Sequence, residues 1–285
     1  MDTIQGISGY GEWEISRDEI RVMDVLGSGS FGEVRRARWR GTVVAVKTSS
    51  VSAEKDADEF KMDFLSLTKL HHPNIVQLLG ACTEHTPYMI CMEFVPFSLD
   101  RVIYTLTNEQ KLDVSADIAK GLAYLHNRKP SYIIHRDIKP PNVLLTASMK
   151  AKLTDFGISM FRANDKSPYK MTGETGTYRY MAPEVVRSEE YNHKVDIWSF
   201  GMVMYHMFEG HPPYSELSMD DMIRSIGRKH VPCICNQITA GAIHACLKTE
   251  PSERIEALDL VDVVESIKFP TTIKKASFIC CMPRP

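Results

Sequence analysis

Ile134-His135-Arg136-Asp137-Ile138-Lys139-Pro140-Pro141-Asn142 is the stretch that decides how this chain reads. A helical run ends near His126 on one side, and the apolar triplet Val143-Leu144-Leu145 follows on the other. The stretch is therefore expected to be a loop held between a helix and a short strand. It offers a carboxylate, two cations and an amide within nine residues. Moving a phosphoryl group asks little covalent chemistry of a protein. It asks for an acceptor of the hydroxyl proton, positive charge near the moving group, and oxygen ligands for Mg²⁺. Asp137, Lys139 and Asn142 supply these in that order. A charged surface loop is the bland alternative, and three such groups in that order within six residues argue against it.

Upstream, Val22, Val25 and Leu26 lead into Gly27-Ser28-Gly29-Ser30-Phe31-Gly32-Glu33-Val34. A GxGxxG string also serves dinucleotide-binding folds, which place a helix straight after the glycines. Here a turn at Gly41 is followed by the β-rich run Val43-Val44-Ala45-Val46-Lys47. Strand, turn and strand in that order favour a glycine hairpin lying over phosphates. Glycine suits it because the backbone can approach an anion closely. Residues 53–70 read as a helix with Phe60, Phe64 and Leu67 on one face, stopped by His72-Pro73. Residues 74–79 and 88–92 read as further strands. Glu93-Phe94-Val95-Pro96 would then connect this small sheet to the rest.

The remainder reads as mostly helical. Val114, Ile118, Leu122 and Leu125 mark one amphipathic helix. The run from Val195 to Phe208 is apolar on nearly every side, which predicts a buried helix whose Met residues fill core. Further helices are expected over 219–228, 238–248 and 256–267. Three more motifs lie in this half: Thr154-Asp155-Phe156-Gly157, Gly176-Thr177-Tyr178-Arg179-Tyr180-Met181-Ala182-Pro183-Glu184, and Asp196-Ile197-Trp198-Ser199-Phe200-Gly201.

With these motifs in this order, the chain resembles the eukaryotic protein kinases from about residue 20 to 268. More narrowly it resembles the tyrosine-kinase-like group of Ser/Thr kinases, which includes Raf and the mixed-lineage kinases. That narrower likeness rests on Trp39-Arg40-Gly41-Thr42 and on the segment 176–184. The resemblance implies an α+β, bilobal fold. A small antiparallel β-sheet N-lobe with one helix would span 20–95, and a larger, mainly helical C-lobe 96–268. A linker with at most one leading strand would occupy 1–19, and a loosely held tail 269–285.

The resemblance also implies ATP and Mg²⁺. Lys47 would contact the α- and β-phosphates, and Asp155 and Asn142 would bind the metal. Asp137 would accept the substrate proton, and Lys139 would neutralise charge on the moving group. The backbone of Gly27, Ser28, Gly29, Ser30, Phe31 and Gly32 would cover the phosphates. Glu93 to Val95 would hydrogen-bond adenine, between Leu26, Val34, Ala45 and Leu144. Met92 would narrow the pocket behind it. Glu184 with Arg254, and Asp196 beneath the catalytic loop, would be structural. Lys139 and Thr177 resemble the pattern of kinases acting on Ser or Thr of a protein substrate, with dual specificity open.

Three positions depart from the family. Asp63 stands where a Glu pairing with Lys47 is usual, with Glu59 one turn away as a substitute. Reduced activity, as in a pseudokinase or nucleotide-binding scaffold, is the competing expectation. Ile255 follows Arg254 where Pro is common, with little consequence expected beyond local backbone freedom. Phe97-Ser98-Leu99 replaces Gly-Ser-Leu, which is expected to narrow the rim of the nucleotide site. Arg136, just before Asp137, would receive a phosphate on the segment from Asp155 to Glu184. Ser167, Tyr169, Thr172 and Thr175 are candidates there, with Thr172 or Thr175 preferred. An upstream kinase or self-association would supply that phosphate.

The totals fit an intracellular globular chain. It has 285 residues, 44% of them hydrophobic, and a formal charge of −2, so no basic nucleic-acid surface is indicated. No apolar run is long enough for a membrane span. No signal peptide opens the chain, and its seven cysteines form no regular framework. Reduced thiols in the cytoplasm are expected. His230, Cys233, Cys235, His244 and Cys246 lack a CxxC pair, which favours packing over zinc. Lys274-Lys275 and Cys280-Cys281 carry features of acylated anchors, but an ordinary tail is the default reading.

Overall fold

The computed structural model describes residues 10–29, 32–48, 60, 63–162 and 177–270. The β-branched run around Lys47 builds an antiparallel meander of β1 (Ile20–Gly29), β2 (Gly32–Trp39) and β3 (Thr42–Thr48). Its second turn needs glycine: Gly41 sits at φ +83°, where a side chain is strained. Strands β4 (Leu78–Cys82) and β5 (Met89–Glu93) complete a sheet ordered β1-β2-β3-β5-β4. Lys47 is in register with Val34 on one side and Ile90 on the other. The two-residue side-chain alternation of β3 sends Val44 and Val46 into a small core with Ile15, Ile20, Ala37 and Cys91. Ala45 and Lys47 therefore point to the opposite face, into the cleft.

Residues 63–67 are helical (α1), and Phe60, Phe64 and Leu67 are buried as their spacing predicts. The helix gives way to a turn at 68–69, short of the predicted residue 70, and its predicted start lies outside the described residues. At the other sheet edge, Glu14 bridges Ala81, and the Ile15 N–H donates to the Ala81 carbonyl at 2.8 Å. The chain passes so close that a Cβ on Gly80 would lie 2.8 Å from the Trp13 carbonyl oxygen.

The strand expected over 74–79 begins only at Leu78. Residues 74–76 pair instead with the C-lobe strand β9 (Ala151–Leu153). The Val76 N–H donates to Leu153 O at 2.9 Å, Leu153 N–H to Asn74 O at 2.9 Å, and the buried Asn74 amide to Ala151 O at 2.9 Å. Backbone groups satisfied by the other lobe are lost to the sheet, which moves the strand's start. β6 (Phe97–Ser98) and β8 (Val143–Leu145) join β9 in a three-stranded sheet below the connector. β7 (Tyr132–Ile134) pairs with β10 (Met160–Arg162).

The short α2 (Leu99–Val102) packs on the Pro140–Asn142 turn. α3 (Asn108–His126) begins with a capping box between Thr107 and Gln110. After α4 (Pro183–Val186) comes α5 (Lys194–Glu209), buried on all sides as predicted, with Trp198, Phe200 and Val203 fully enclosed. α6 (Met219–Gly227), α7 (Ala240–Cys246) and α8 (Ala257–Ser266) close the C-lobe. No helix among the described residues is long and apolar enough to cross a membrane.

Arg254 ties this lobe together. Its guanidinium donates to Glu184 Oε1 and Oε2 at 2.5 and 2.8 Å and lies 5.0 Å over the Trp198 ring. Both partners are buried. Removing one member of a buried pair strands the other charge, at about 3–5 kcal/mol. Arg254→Ala is therefore expected to lower the melting temperature by roughly 6–20 °C, from 2–4 °C per kcal/mol at this chain length. A scan showing less than about 2 °C change would refute the assignment. Ile255 does more than free the backbone: its N–H, which proline would lack, donates to Ala245 O at 3.1 Å.

Candidate active site

The loop after β7 is positioned from beneath by Asp196, at the start of α5. Its fully buried carboxylate accepts the N–H groups of His135 and Arg136, each at 2.8 Å, and meets His126 Nε2 at 2.8 Å. Burial opposes its ionisation, but these hydrogen bonds hold Asp196 below the usual carboxylate range. They also hold Arg136 at φ +68°, a conformation a side chain adopts only under constraint. His135 Nε2 lies 3.0 Å from Thr154 O, while Asp137 N–H donates to His135 Nδ1 at 3.3 Å. These partners assign the neutral tautomer with its proton on Nε2.

Asp137 stands at the centre. Asn142 Nδ2 donates to Asp137 O at 2.9 Å and to Oδ2 at 2.8 Å, and Lys139 Nζ lies 3.0 Å from Oδ2. Oδ1 is buried, with no hydrogen-bond partner among the described residues. Burial pushes the Asp137 carboxyl up from its ordinary value, and Lys139 pulls it back.

Across the cleft, Lys47 Nζ donates to Asp63 Oδ2 at 2.7 Å and to Asp155 Oδ1 at 2.8 Å. Asp63 Oδ1 accepts the Phe156 N–H at 3.1 Å. The shorter carboxylate at position 63 thus reaches Lys47 without an intervening water, and Glu59 lies outside the described residues. Burial alone would lower Lys47, but the two carboxylates hold it above the ordinary lysine value. Burial pushes Asp63 up, against Lys47 and the Phe156 N–H. For Asp155, burial raises the carboxyl, but Lys47 outweighs it and takes Asp155 below the usual range. Asp155 itself sits at φ +66°, and Phe156 is buried with its ring centroid 4.7 Å from that of His135.

Beside these groups lies a cavity of about 370 Å³ between the lobes. Leu26, Gly27, Ser28, Gly32, Val34, Ala45, Val95 and Leu144 line it together with Lys47, Glu93, Lys139, Asn142 and Asp155. Gly29 ends β1; Ser30 and Phe31 lie outside the described residues, as do Ser167, Tyr169, Thr172 and Thr175. Met92 closes the back, and Phe97 stands on the rim, 39% exposed. The Glu93 side chain is turned away to other work: it accepts Gln77 N–H at 2.9 Å and Lys152 Nζ at 2.7 Å. Sequence reasoning missed that clamp, and also Arg101, which lines the rim and donates to Leu26 O at 3.2 Å. Neither partner is near its mate in sequence, so no local signal marked them.

Arg136 donates to Ile158 O and, at 3.1 Å, to Tyr191 Oη. Of the cysteine cluster, Cys246 is buried and Cys233 and Cys235 are exposed, all as free thiols. No group of three or more His, Cys, Asp or Glu able to hold a metal occurs among the described residues.

A family model described as protein tyrosine and serine/threonine kinase matches residues 20–264. Serine/threonine-protein kinase VIK of Arabidopsis thaliana is 40% identical over 274 residues, covering 90% of this chain and 62% of that protein. Serine/threonine-protein kinase CTR1 of the same plant is 33% identical over 276 residues, covering 92% of this chain and 33% of its own length. Mitogen-activated protein kinase kinase kinase 13 of Mus musculus is 38% identical over 226 residues, 77% of this chain and 22% of that protein. The chain thus spans less than two thirds of each of these relatives.

Proposed function

The chain belongs to the protein tyrosine and serine/threonine kinase family, and from that premise we propose that it transfers the γ-phosphate of ATP to Ser or Thr hydroxyls of protein substrates. The names of the two plant relatives, both serine/threonine-protein kinases, and the tyrosine-kinase-like motifs support that acceptor class. The observation that carries the reading is Asp137: one carboxylate oxygen is held by Lys139 and Asn142, and the other is buried and has no partner among the described residues. A buried acceptor left open beside a cation-lined cleft suits a substrate hydroxyl.

Lys47, held between two carboxylates, would bind the nucleotide's α- and β-phosphates. Lys139 would offset charge on the group in flight. Asp155 and the side-chain oxygen of Asn142, whose nitrogen is committed to Asp137, are hard oxygen donors that suit Mg²⁺. When bound, that ion would neutralise charge on the β- and γ-phosphates. The segment 177–184 would carry the substrate polypeptide. A scaffold without turnover has Asp63 as its support, and the direct Lys47–Asp63 ion pair favours catalysis instead. A cytoplasmic setting, where thiols stay reduced, matches the free cysteines.

Intact-mass spectrometry before and after incubation with Mg·ATP and casein tests the activity. Added phosphate on either protein supports it; no transfer by the wild type sinks it. Activation would follow phosphorylation of Thr172 or Thr175, by an upstream kinase or a second copy, and changing both to Ala should then remove the activated state.

The proposal also fixes a pH dependence. Only the ionised Asp137 accepts a proton, so kcat/KM falls as pH drops through its raised pKa. Lys139 lowers that pKa. Lys139→Met should therefore move the acid limb of the kcat/KM profile to higher pH, besides reducing the plateau. An acid limb that stays put would show that Lys139 does not act on Asp137.

A further inference from the structure

A second polar cluster lies outside the chemistry described above. His206, in α5, is buried. Its Nε2 lies 3.0 Å from Tyr104 Oη, and its Nδ1 lies 2.9 Å from Tyr180 Oη. Burial, with His211, Arg179 and Lys111 nearby, pushes His206 down to about 4. The ring is neutral at physiological pH, with one N–H donor and one acceptor nitrogen. Two tyrosine hydroxyls use both, so one tyrosine donates to the imidazole and the other accepts from it. The ring joins two places distant in sequence.

Tyr180 is buried at 7% exposure, in the turn Thr177–Tyr180 that opens onto α4. Tyr104 is 63% exposed and follows α2. The turn carrying it is closed by the Thr105 N–H, which donates to Val102 O at 2.8 Å. α2 lends Asp100 and Arg101 to the nucleotide cavity and packs on the Pro140–Asn142 turn. Tyr180 is thus tied, through one imidazole, to the helix on the nucleotide rim.

We propose that His206 is a positioning residue for the polypeptide substrate, holding Tyr180 and the segment 177–184 in register with α2 through Tyr104. This rests on the reading that segment 177–184 carries the substrate. His206 touches no reacting atom. Its contribution is to keep a buried tyrosine hydroxyl satisfied in a single orientation, so that the docking segment meets the substrate already ordered. Losing that order should weaken polypeptide binding while sparing nucleotide binding and the chemical step.

The test measures kcat and separate KM values for casein and ATP. His206→Phe and Tyr180→Phe are each expected to raise the casein KM about tenfold, the worth of one buried hydrogen bond. The ATP KM and kcat should stay within about twofold. His206→Gln, which keeps one donor and one acceptor, should recover most of the loss. Tyr104→Phe should raise the casein KM less, and should add nothing in the His206→Phe background, because residues in one network are not additive. Should His206→Phe fail to fold, Tyr104→Phe, altered at an exposed ring, decides alone.

A casein KM unchanged in both Tyr104→Phe and His206→Phe, or equal changes in both KM values and kcat, would overturn the proposal. Full additivity of the Tyr104 and His206 changes would overturn it too. If the wild type moves phosphate neither to casein nor to itself, the kinase reading fails and takes this inference with it. Transfer by the wild type with an unmoved casein KM in the variants sinks only the role of His206.

Discussion

Asp137→Asn is expected to lower kcat by about 10²- to 10⁴-fold, the usual worth of a positioned general base, while nucleotide affinity stays unchanged. The substitution keeps size and shape, so the loop held by Asp196 should not move. What it removes is the ability to take a proton. The open oxygen Oδ1 is buried, and among the described residues no carboxylate or histidine hydrogen-bonds to it as a ready substitute. Asp137 is also absent from the lining of the cavity between the lobes, whereas Lys139 and Asn142 belong to it. Single-turnover transfer to casein, alongside fluorescence titration with nucleotide, separates the two effects. A variant that keeps more than half of the wild-type rate would refute the base assignment. One that loses nucleotide affinity in proportion would show that Asp137 organises the cleft instead.

The second large effect concerns Asp63. Its two oxygens do different jobs: Oδ2 meets Lys47, and Oδ1 receives the Phe156 N–H. Asp63→Ala removes both in one step. Lys47 keeps only Asp155 among these two carboxylates, and the buried Phe156 N–H loses its acceptor. Hydrogen bonds to charged groups contribute about 1.5–3 kcal/mol, so kcat/KM for ATP should fall roughly 10- to 150-fold.

Asp63→Asn separates the two contacts. Its side-chain oxygen can still receive the Phe156 N–H, but it no longer balances Lys47, so its ATP KM should rise while its melting temperature falls less than in Asp63→Ala. Asp63→Glu is the sharper comparison. The family's longer side chain should not improve this protein, because a direct 2.7 Å contact already exists. An extra methylene in a packed site costs about 1–3 kcal/mol. Higher activity in Asp63→Glu than in the wild type would mean that the helix sits further from Lys47 than it does here.

Local chemistry makes the lobes legible in the sequence. The strand-turn-strand pattern around Gly41 and Lys47 is a matter of φ freedom and β-branching over a few residues. The buried helix Lys194–Glu209 follows from an apolar face on every side. Asp137 and Asn142 touch because a short turn joins them, and their spacing alone brought them together. The family likeness extended this to Lys47 and Asp155, which lie 108 residues apart.

The partner of each charge was decided only by tertiary packing. Whether Lys47 meets Asp63 or Glu59 depends on the rotation of one helix against the sheet, which periodicity leaves open by a turn. Residues 74–76 have strand character, yet their hydrogen bonds go to β9, because that lobe offered them geometry the local sheet did not. Glu93 is held by Lys152, and Tyr104 reaches Tyr180 through His206, across separations where no sequence period operates. Period and turn chemistry act over a few residues. Burial rewards whichever polar partner the completed core presents, so those pairings exist only once the lobes have packed.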